Sequence, residues 1–365
     1  MILSVVIPCL NESETIAICI KKSIKQIKLL KIKGEVIVAD NGSIDGSIEI
    51  SKKNGAKVIH VKEKGYGAAL RAGFSAAKGK YIMMGDGDDS YDFNFIKKFY
   101  LKIEEGYDLV QGCRFPSGGG IIEKGAMPIS HRLVGNPFLT KVSRFLHKVP
   151  FNDMYCGMKM FRKSFLDKLS FFSTGMVFCM ELVIKFYNHG SKSCELPIIF
   201  KKDGRKKGKS HIRTFYDGFS TLKFLLICCP KWLFFIPSLI LFLTATYQVF
   251  NSHLYFSELG LFKIFFLQVL SIQLLMLGLF SSVLSEKIGL GKNKYLKSFF
   301  KYFTLSLAII LFLILGTLSL LTKVFIIEET YPEYLSIICD YIVFLSIMII
   351  FNSFFVSLLN IEKEI

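Results

Sequence analysis

The sequence predicts an α/β domain with a mostly parallel sheet, followed by an all-helical membrane domain. Two observations carry this prediction. Short β-branched apolar runs alternate with helical segments up to about residue 200. The chain beyond about residue 230 is rich in Leu, Ile and Phe, which explains 52% hydrophobic residues and a mean hydropathy of +0.44. With 365 residues, the chain is long enough for both parts.

The strands and helices of the first part follow one another in strict alternation. Strands are predicted for the β-branched or apolar runs 2–7, 35–40, 56–61 and 80–86. Helices are predicted between them, at 12–30, 48–55 and 67–78. This order is typical of a mostly parallel sheet whose faces are covered by helices.

Four apolar stretches in the second part are long enough to span a membrane, which takes about 20 helical residues. They lie at about 233–255, 262–284, 302–322 and 335–359. Buried soluble helices are the alternative, but runs such as LSLAIILFLILGTLSLL disfavour it. The sequence predicts an α/β domain over 1–209, amphipathic juxtamembrane helices over 210–232 and a transmembrane domain over 233–365.

Basic residues predict how the spans are oriented. They cluster in 201–213, before the first span, and in 287–301, between the second and third spans. The stretches SHLYFSELG and IIEETYPE of the other two loops contain no Lys or Arg. By the positive-inside rule, the N-terminal domain and the C-terminus are both expected in the cytoplasm.

The overall charge of +17 favours an anionic membrane surface over nucleic acid as a partner. The basic run 201–213 contains no Phe, Tyr or Trp, which disfavours nucleic-acid binding. The nine cysteines are scattered without a CxxC pair. Neither a disulfide framework nor a zinc site is therefore expected.

Polar residues follow three of the predicted strands, at Asn11–Glu12, Asp40–Asn41 and Asp86–Asp88. In parallel sheets, ligands bind beyond the carboxyl ends of the strands. These three strand ends therefore predict a binding site at one edge of the sheet.

The stretch GKYIMMGDGDDSYDF contains the pair Asp86 and Asp88 at such a strand end. Two carboxylates in a DxD arrangement can bind one Mg²⁺ or Mn²⁺ that takes further oxygens from a diphosphate. A solvated acidic turn, with Asp92 as a helix cap, is the alternative.

The stretch GYGAALRAG, residues 65–73, is a weak match to a dinucleotide fingerprint because no strand immediately precedes it. A Gly-rich turn that opens a helix still offers backbone N–H groups to a phosphate, and Arg71 could add a charged contact. In the alternative interpretation, the helix packs through its alanines and Arg71 faces solvent.

Several motifs together resemble a known family. SVVIPCLNESETI, VIVADNGSIDGS, GYGAALRAGF and YIMMGDGDDSYDF resemble family 2 glycosyltransferases of the GT-A fold. The later motifs CRF, HRLVGNP, DMYCGMKMFRKS and DGRKKGKSHIR resemble the narrower group of polyprenyl-phosphate glycosyltransferases, which includes dolichyl-phosphate mannose and glucose synthases. The resemblance covers roughly residues 1–232, and the predicted spans agree with the multi-span bacterial members of that group.

The resemblance implies roles for individual residues. The implied catalytic residues are Asp86, Asp88 and Asp153, of which Asp86 and Asp88 are the implied ligands of Mg²⁺ or Mn²⁺. The implied nucleotide-sugar contacts are Pro8, Asn11, Glu12, Asp40, Asn41, Asp86 and Gly87, to which the Gly-rich turn adds Arg71. The implied lipid-phosphate contacts are Arg114 and Arg132. The basic run 201–213 either orients the protein at an anionic membrane or forms a loop at the substrate, and Arg205 and Arg213 are its candidate lipid-phosphate contacts. Glu181 matches an acidic position near the sugar, like Asp153.

Two positions depart from the family pattern. Asn41 stands where the family commonly has a second Asp, and Ser90 stands where some relatives have a metal-ligating Gln. The identity of the first contact and the number of metal ligands from the protein are therefore open.

The resemblance implies an inverting hexosyltransferase, with UDP-glucose favoured as donor and GDP-mannose as the alternative. The acceptor would be undecaprenyl or another polyprenyl phosphate, and the product a polyprenyl-phosphate hexose on the cytoplasmic face of a bacterial-type plasma membrane. Four-span relatives suggest a homo-oligomer, in particular a tetramer.

Two other functions are alternatives to hexosyl transfer. A processive polysaccharide synthase would carry a QxxRW motif, but the only tryptophan, Trp232, lies in CCPKWLF. A non-catalytic transporter or scaffold for lipid-linked sugars is the alternative from another class. The intact Asp86 and Asp88 pair and the scarcity of charges in the spans disfavour it.

Overall fold

A computed structural model describes residues 1–206, 213–250, 258–290, 305–322 and 333–360. The chain divides into two compact units. The first contains Met1–Leu225 and Ile288–Leu290, and the second contains Leu226–Lys287 and Gly291–Ile365. The domain boundaries at 209 and 232 stay predictions.

Nine strands lie in the described part of the first unit. They are β1 Leu3–Cys9, β2 Gly34–Asp40, β3 Lys57–His60, β4 Tyr81–Met84, β5 Leu109–Cys113, β6 Ile121–Ile122, β7 Lys159–Arg162, β8 Ser193–Pro197 and β9 Ile199–Phe200. Seven of them form one sheet in the order β3-β2-β1-β4-β7-β5-β8. Only β7 runs antiparallel to its neighbours in this sheet. The prediction of a mostly parallel sheet is therefore confirmed.

Helices alternate with the first five strands as the sequence predicted. They are α1 Ile16–Leu29, α2 Ser47–Lys53, α3 Tyr66–Ala76, α4 Ile96–Glu104, α5 Asn136–His147, α6 Lys163–Leu166, α7 Phe178–Asn188 and α8 Thr214–Ile227. The first helix begins at Ile16 and not at Glu12. The carbonyl of Glu12 accepts hydrogen bonds from the backbone N–H groups of Thr15 and Ile16, so that residues 12–15 form a turn.

The central strand β1 determines where the functional residues meet. All seven of its residues are buried, because helices cover both faces of the sheet. It pairs in parallel with β2, so that Cys9 lies beside Asp40, and with β4, so that Val6 lies beside Met84. The segments that leave these three strands therefore begin at the same edge of the sheet.

The described residues of the second unit are helical apart from Cys228 and Cys229. Its helices are α9 Ile236–Phe250, α10 Glu258–Lys287, α11 Leu305–Thr322 and α12 Glu333–Asn360. Hydroxyl groups connect two of them, because Ser238 and Ser271 each donate to the other's backbone carbonyl, at 2.8 and 2.9 Å. Such contacts between small polar residues are typical of packed membrane helices.

Three described helical segments are long and apolar enough to cross a membrane: Lys231–Phe250, Gly260–Lys287 and Ser336–Phe355. The apolar helix Ser306–Thr322 is shorter, so that the span predicted at 302–322 stays a prediction. Its first residues lie outside the described residues, as do the connecting segments 251–257, 291–304 and 323–332 on which the predicted orientation depends.

Candidate active site

A pocket of about 400 Å³ lies at the carboxyl ends of β1, β2 and β4. Eight residues predicted for the site line it: Pro8, Glu12, Asn41, Asp86, Gly87, Asp88, Arg205 and Arg213. The parallel register explains why residues from three strand ends share one pocket. Asn11, Asp40, Arg71, Arg114, Arg132 and Asp153 do not line this pocket.

Asp86 lies two residues beyond the end of β4 and is partly buried. Its Oδ1 accepts a hydrogen bond of 2.8 Å from the hydroxyl of Tyr66, the first residue of α3. Withdrawal from water and the nearby charge of Asp88 raise the pKa of Asp86 to about 7. A bound cation would reverse this effect, because it would favour the charged form of the carboxylate.

Asp88 is held in place by the residue that departs from the family pattern. The backbone N–H and the hydroxyl of Ser90 donate to its Oδ1 at 3.0 and 2.6 Å. The other oxygen, Oδ2, lies 3.6 Å from Nη2 of Arg205. Ser90 therefore orients one carboxylate oxygen of Asp88.

Arg205 and Glu12 form a bidentate ion pair that lines the pocket. Nε and Nη2 of Arg205 donate to the two carboxylate oxygens of Glu12 at 2.8 and 2.6 Å. Nη1 of Arg205 donates to Asp203 at 2.9 Å. A planar guanidinium is suited to such paired contacts with carboxylates and equally to contacts with phosphates.

The donor set at Asp86 and Asp88 fits a hard divalent cation that takes part of its ligands from elsewhere. Mg²⁺ is commonly held by one or two carboxylates together with water and substrate phosphates. Within the described ranges, no group of three or more His, Cys, Asp or Glu side chains is arranged to hold a metal ion. Diphosphate oxygens or water would therefore have to complete the coordination.

Asn41 connects two loops at the pocket. Its side-chain NH₂ donates to the carbonyls of Val61 and Glu63 at 3.3 and 2.7 Å, and its Oδ1 accepts from the N–H of Gly65 at 2.7 Å. Lys64, which also lines the pocket, donates to the Asn41 carbonyl at 2.7 Å. An Asp at this position could not donate to either carbonyl, which explains why an amide suits this chain.

Asn11 and Asp40 shape the loop that follows β2. Asp40 is 2% exposed, and its carboxylate accepts the N–H groups of Gly42 and Ser43, both at 3.1 Å. Asn11 has a positive φ of 58° and accepts the N–H of Ile44 at 2.9 Å. Both side chains therefore bind backbone in this structure.

Arg71 also contacts protein groups outside the pocket lining. Its Nη2 donates to Glu63 at 2.5 Å and its Nη1 to the carbonyl of Phe171 at 2.9 Å. The sequence offered two interpretations of this residue, phosphate contact or exposure to solvent. The structure places its guanidinium between two loops.

Arg114 and Asp153 form an enclosed ion pair. Nε and Nη2 of Arg114 donate to the two carboxylate oxygens of Asp153 at 2.7 and 2.8 Å, and the Arg114 backbone N–H adds a bond of 3.0 Å. The Asp153 side chain is completely buried and that of Arg114 is 8% exposed. Their predicted contacts with sugar and lipid phosphate stay predictions.

The two remaining arginines are exposed. Arg132 lies in the π-helical turn His131–Gly135, immediately before α5. Arg213 immediately precedes α8, and its backbone N–H donates to Asp217 at 2.7 Å. Only Arg213 lines the pocket, together with Asp217.

Lys64, Tyr66, Met176 and Asp217 are among the pocket residues that were not predicted from the sequence. Lys64 and Tyr66 precede and begin the helix of the GYGAALRAG stretch, so the motif itself could have indicated them. Nothing in the local sequence marks Met176, which lies more than a hundred residues beyond that stretch.

The chain thus combines an α/β unit that has a polar pocket at its strand ends with a helical unit that has three candidate membrane spans. Residues 4–170 match the family model described as glycosyl transferase family 2. A dolichyl-phosphate hexose transferase of Haloferax volcanii is 31% identical over 200 residues, which cover 54% of this chain and 82% of that protein. The chain therefore belongs to glycosyltransferase family 2.

Further relatives agree with this assignment. The low-salt glycan biosynthesis hexosyltransferase Agl6 of Haloferax volcanii is 36% identical over 239 residues, or 64% of this chain. The match spans only 55% of the length of Agl6. A crystal structure of glucosyl-3-phosphoglycerate synthase from Mycobacterium tuberculosis, in complex with Mg²⁺ and UDP, has a TM-score of 0.50 at 21% identity. The match covers 62% of this chain and 79% of the synthase chain. The likeness shows that the fold is GT-A.

Proposed function

We propose that the protein transfers a hexose from a nucleotide sugar to a polyprenyl phosphate. The observation that carries this proposal is the joint pocket of Asp86, Asp88, Arg205 and Arg213. Paired carboxylates suit a metal-bound diphosphate, and arginines suit an acceptor phosphate. The name of the dolichyl-phosphate hexose transferase supports the same reaction class.

The donor would bind with its diphosphate beside Asp86 and Asp88. A divalent cation held by these two carboxylates would stabilise the charge that develops on the leaving diphosphate. Tyr66 would keep the Asp86 carboxylate in position, and Ser90 would do the same for Asp88. UDP-glucose is the favoured donor, with GDP-mannose as the alternative.

The acceptor phosphate is already ionised at neutral pH, so its attack needs no general base. Arg205 and Arg213 would bind this phosphate and direct one of its oxygens toward the anomeric carbon. A new C–O bond would form there while the bond to the diphosphate oxygen breaks, and the nucleoside diphosphate would leave. Attack from the opposite face would invert the anomeric configuration.

A second unit embedded in the membrane would give the protein access to a lipid acceptor. Three apolar helices long enough to span a membrane support an integral membrane protein. We propose that the first unit lies on the cytoplasmic side of the plasma membrane, as the basic residues before the first span suggest. A homo-oligomer remains part of the same proposal, on the resemblance alone.

The proposal is tested by a transfer assay with full-length protein in detergent, undecaprenyl phosphate and Mg²⁺ or Mn²⁺. Radiolabelled UDP-glucose, GDP-mannose and other nucleotide sugars are supplied one at a time. We expect one donor to transfer label into the lipid phase, and chelation of the metal to abolish it. Asp88→Asn should reduce transfer by roughly a hundredfold or more, because one metal ligand loses its charge.

Lys201→Gln is the matched control, because Lys201 pairs with Asp92 at 2.8 Å and does not line the pocket. It should transfer at nearly the wild-type rate. Full activity of Asp88→Asn would overturn the proposed mechanism. Absence of both transfer and nucleotide binding in the wild-type protein would favour the non-catalytic scaffold.

A further inference from the structure

One wall of the pocket is formed by a segment without regular secondary structure, residues 170–176, which we call the wall segment. Gly175 and Met176 of this segment line the pocket. Irregular backbone at a binding site must be fixed by contacts outside itself if it is to keep one shape. In this protein, charged side chains supply those contacts.

Glu181 binds the wall segment from the first turn of α7. Its two carboxylate oxygens accept the backbone N–H groups of Phe172 and Ser173 at 3.1 and 2.9 Å. The side chain of Glu181 is completely buried. A buried carboxylate is costly unless it is paired, so its presence indicates a specific role.

Lys185 pairs with Glu181 and binds the same segment. Its Nζ lies 2.6 Å from Oε1 of Glu181, one helical turn away, and its side chain is 1% exposed. The same ammonium donates to the carbonyl of Ser170. It also lies 5.2 and 5.0 Å from the ring centroids of Phe171 and Phe172.

Arg71 supplies a third charged contact, because its Nη1 donates to the carbonyl of Phe171. Backbone groups of four consecutive residues, 170–173, are therefore bound by three charged side chains. Such charge-assisted bonds are stronger than neutral ones. They fix the wall segment against the core.

The wall segment packs closely against the start of α3, which carries Tyr66. The N–H of Ala68 donates to the carbonyl of Thr174 at 3.1 Å. A Cβ at Gly65, whose φ is +129°, would lie 2.2 Å from the same carbonyl oxygen. Only glycine permits this approach, which places the wall beside the residue that binds Asp86.

The wall differs chemically from the charged groups of the pocket. The carboxylates and arginines suit the diphosphate and the acceptor phosphate, whereas Gly175 and Met176 carry no charge. A hexose is uncharged and is bonded directly to the diphosphate expected at Asp86 and Asp88. The wall lies beside Tyr66, which binds Asp86, and is therefore placed for contact with the sugar ring.

We propose that Arg71, Glu181 and Lys185 are positioning residues that fix the wall segment, and that Met176 determines which hexose fits. This inference rests on the proposed hexosyl transfer and names the part of the site that selects the sugar. Glu181 thereby acts through the backbone and does not touch the substrate.

The test compares full-length Glu181→Gln with wild-type protein. Donor KM and kcat are measured for the preferred nucleotide sugar and for its C4 epimer on the same nucleotide. We expect KM to rise roughly tenfold to a hundredfold, and the preference between epimers to fall, with a smaller change in kcat. Loss of folded protein would lower apparent kcat and leave KM and the epimer preference unchanged.

Hydrogen exchange provides a readout that is independent of activity. In Glu181→Gln, the amides of Phe172 and Ser173 should lose protection, while those of β1 keep it. The matched control is Asp167→Asn, which breaks the exposed pair between Lys163 and Asp167 with the same i, i+4 spacing. It should change neither readout.

Met176→Ala tests directly whether Met176 selects the hexose. This variant also tests the inference if Glu181→Gln does not fold. It should change the epimer preference while the amides of Phe172 and Ser173 stay protected. An unchanged epimer preference in a folded variant would overturn the inference. If wild-type protein binds nucleotide sugars but transfers nothing, the proposed reaction has failed, and the Kd values for the two epimers then decide the inference in place of KM.

Discussion

Two arginine–carboxylate pairs in the first unit have nearly the same geometry but different surroundings. Arg114 binds Asp153 at 2.7 and 2.8 Å, and Arg205 binds Glu12 at 2.8 and 2.6 Å. The first pair lies outside the pocket lining, whereas both members of the second line the pocket. The same pairing is therefore enclosed by protein in one place and lines the pocket in the other.

The surroundings of the enclosed pair explain this difference. Glu195 accepts the backbone N–H groups of Asn152 and Asp153 at 2.7 and 2.9 Å, which holds the loop that carries Asp153. The guanidinium of Arg114 also lies 5.2 Å from the ring centroid of Phe200. A phosphate could reach Arg114 only if these contacts were rearranged.

The largest effect is expected when the enclosed pair is broken. Asp153→Asn should destabilise the protein by about 3–5 kcal/mol, because it leaves the buried Arg114 without its counter-charge. Thermal unfolding in detergent, followed by far-UV circular dichroism, should show a large fall in Tm. The double variant Arg114→Met/Asp153→Leu should recover much of this loss. A lower rate of transfer at an unchanged Tm would instead place the pair in the active site.

A pH dependence of stability is expected from Asp86, which has no arginine partner among its described contacts. Its pKa is raised to about 7 from the ordinary value of 3.8, so the folded state binds the proton more tightly than the unfolded state. Stability should therefore fall between pH 4 and pH 7 in metal-free protein, by at most about 4 kcal/mol. Asp86→Asn should lack this loss.

The measurement is Tm between pH 4 and pH 8 in the presence of a chelator, for wild-type protein and for Asp86→Asn. The Tm of wild-type protein should fall relative to that of the variant as the pH rises. Added Mg²⁺ and UDP should restore the Tm of wild-type protein at pH 8. Parallel pH profiles for the two proteins would contradict this prediction.

The pocket pair should affect transfer as well as stability. Arg205→Gln leaves the Glu12 carboxylate without its principal cation and removes a proposed phosphate contact. Transfer efficiency, kcat/KM, should fall roughly a hundredfold, which corresponds to about 3 kcal/mol. The Tm should also fall, because the side chains of Arg205 and Glu12 are only 9% and 6% exposed. A kcat/KM per folded molecule equal to that of the wild-type protein would contradict a role of Arg205 in transfer.

The smallest effect is expected at an exposed pair. Lys163 begins α6 and Asp167 follows its last residue; their charged groups lie 3.0 Å apart, and the Asp167 side chain is 56% exposed. Water and salt screen such pairs, so that Asp167→Asn should cost less than about 0.5 kcal/mol. Chemical unfolding at low and high salt should show little difference from wild-type protein. A loss comparable with that of Asp153→Asn would show that burial does not govern these pairs.

The sequence predicted the fold better than it predicted the contacts of the charged residues. The first three helices and four strands lie close to their predicted bounds, because apolar periodicity is a local signal. The contacts of Arg71 could not be derived in this way. Its carbonyl partner, Phe171, lies a hundred residues away, and nothing in either stretch indicates the other.

The sequence by itself determined the alternation of strands and helices, the polar strand ends and the apolar helices of the second unit. Each of these follows from residues that are neighbours in the chain. Only the tertiary structure decided that Arg205 pairs with Glu12, which lies 193 residues earlier in the chain. It also decided that the Glu181 carboxylate accepts hydrogen bonds from the wall segment. Such pairings depend on which loops the sheet brings together, and the antiparallel β7 between β4 and β5 shows that chain order alone does not set that arrangement.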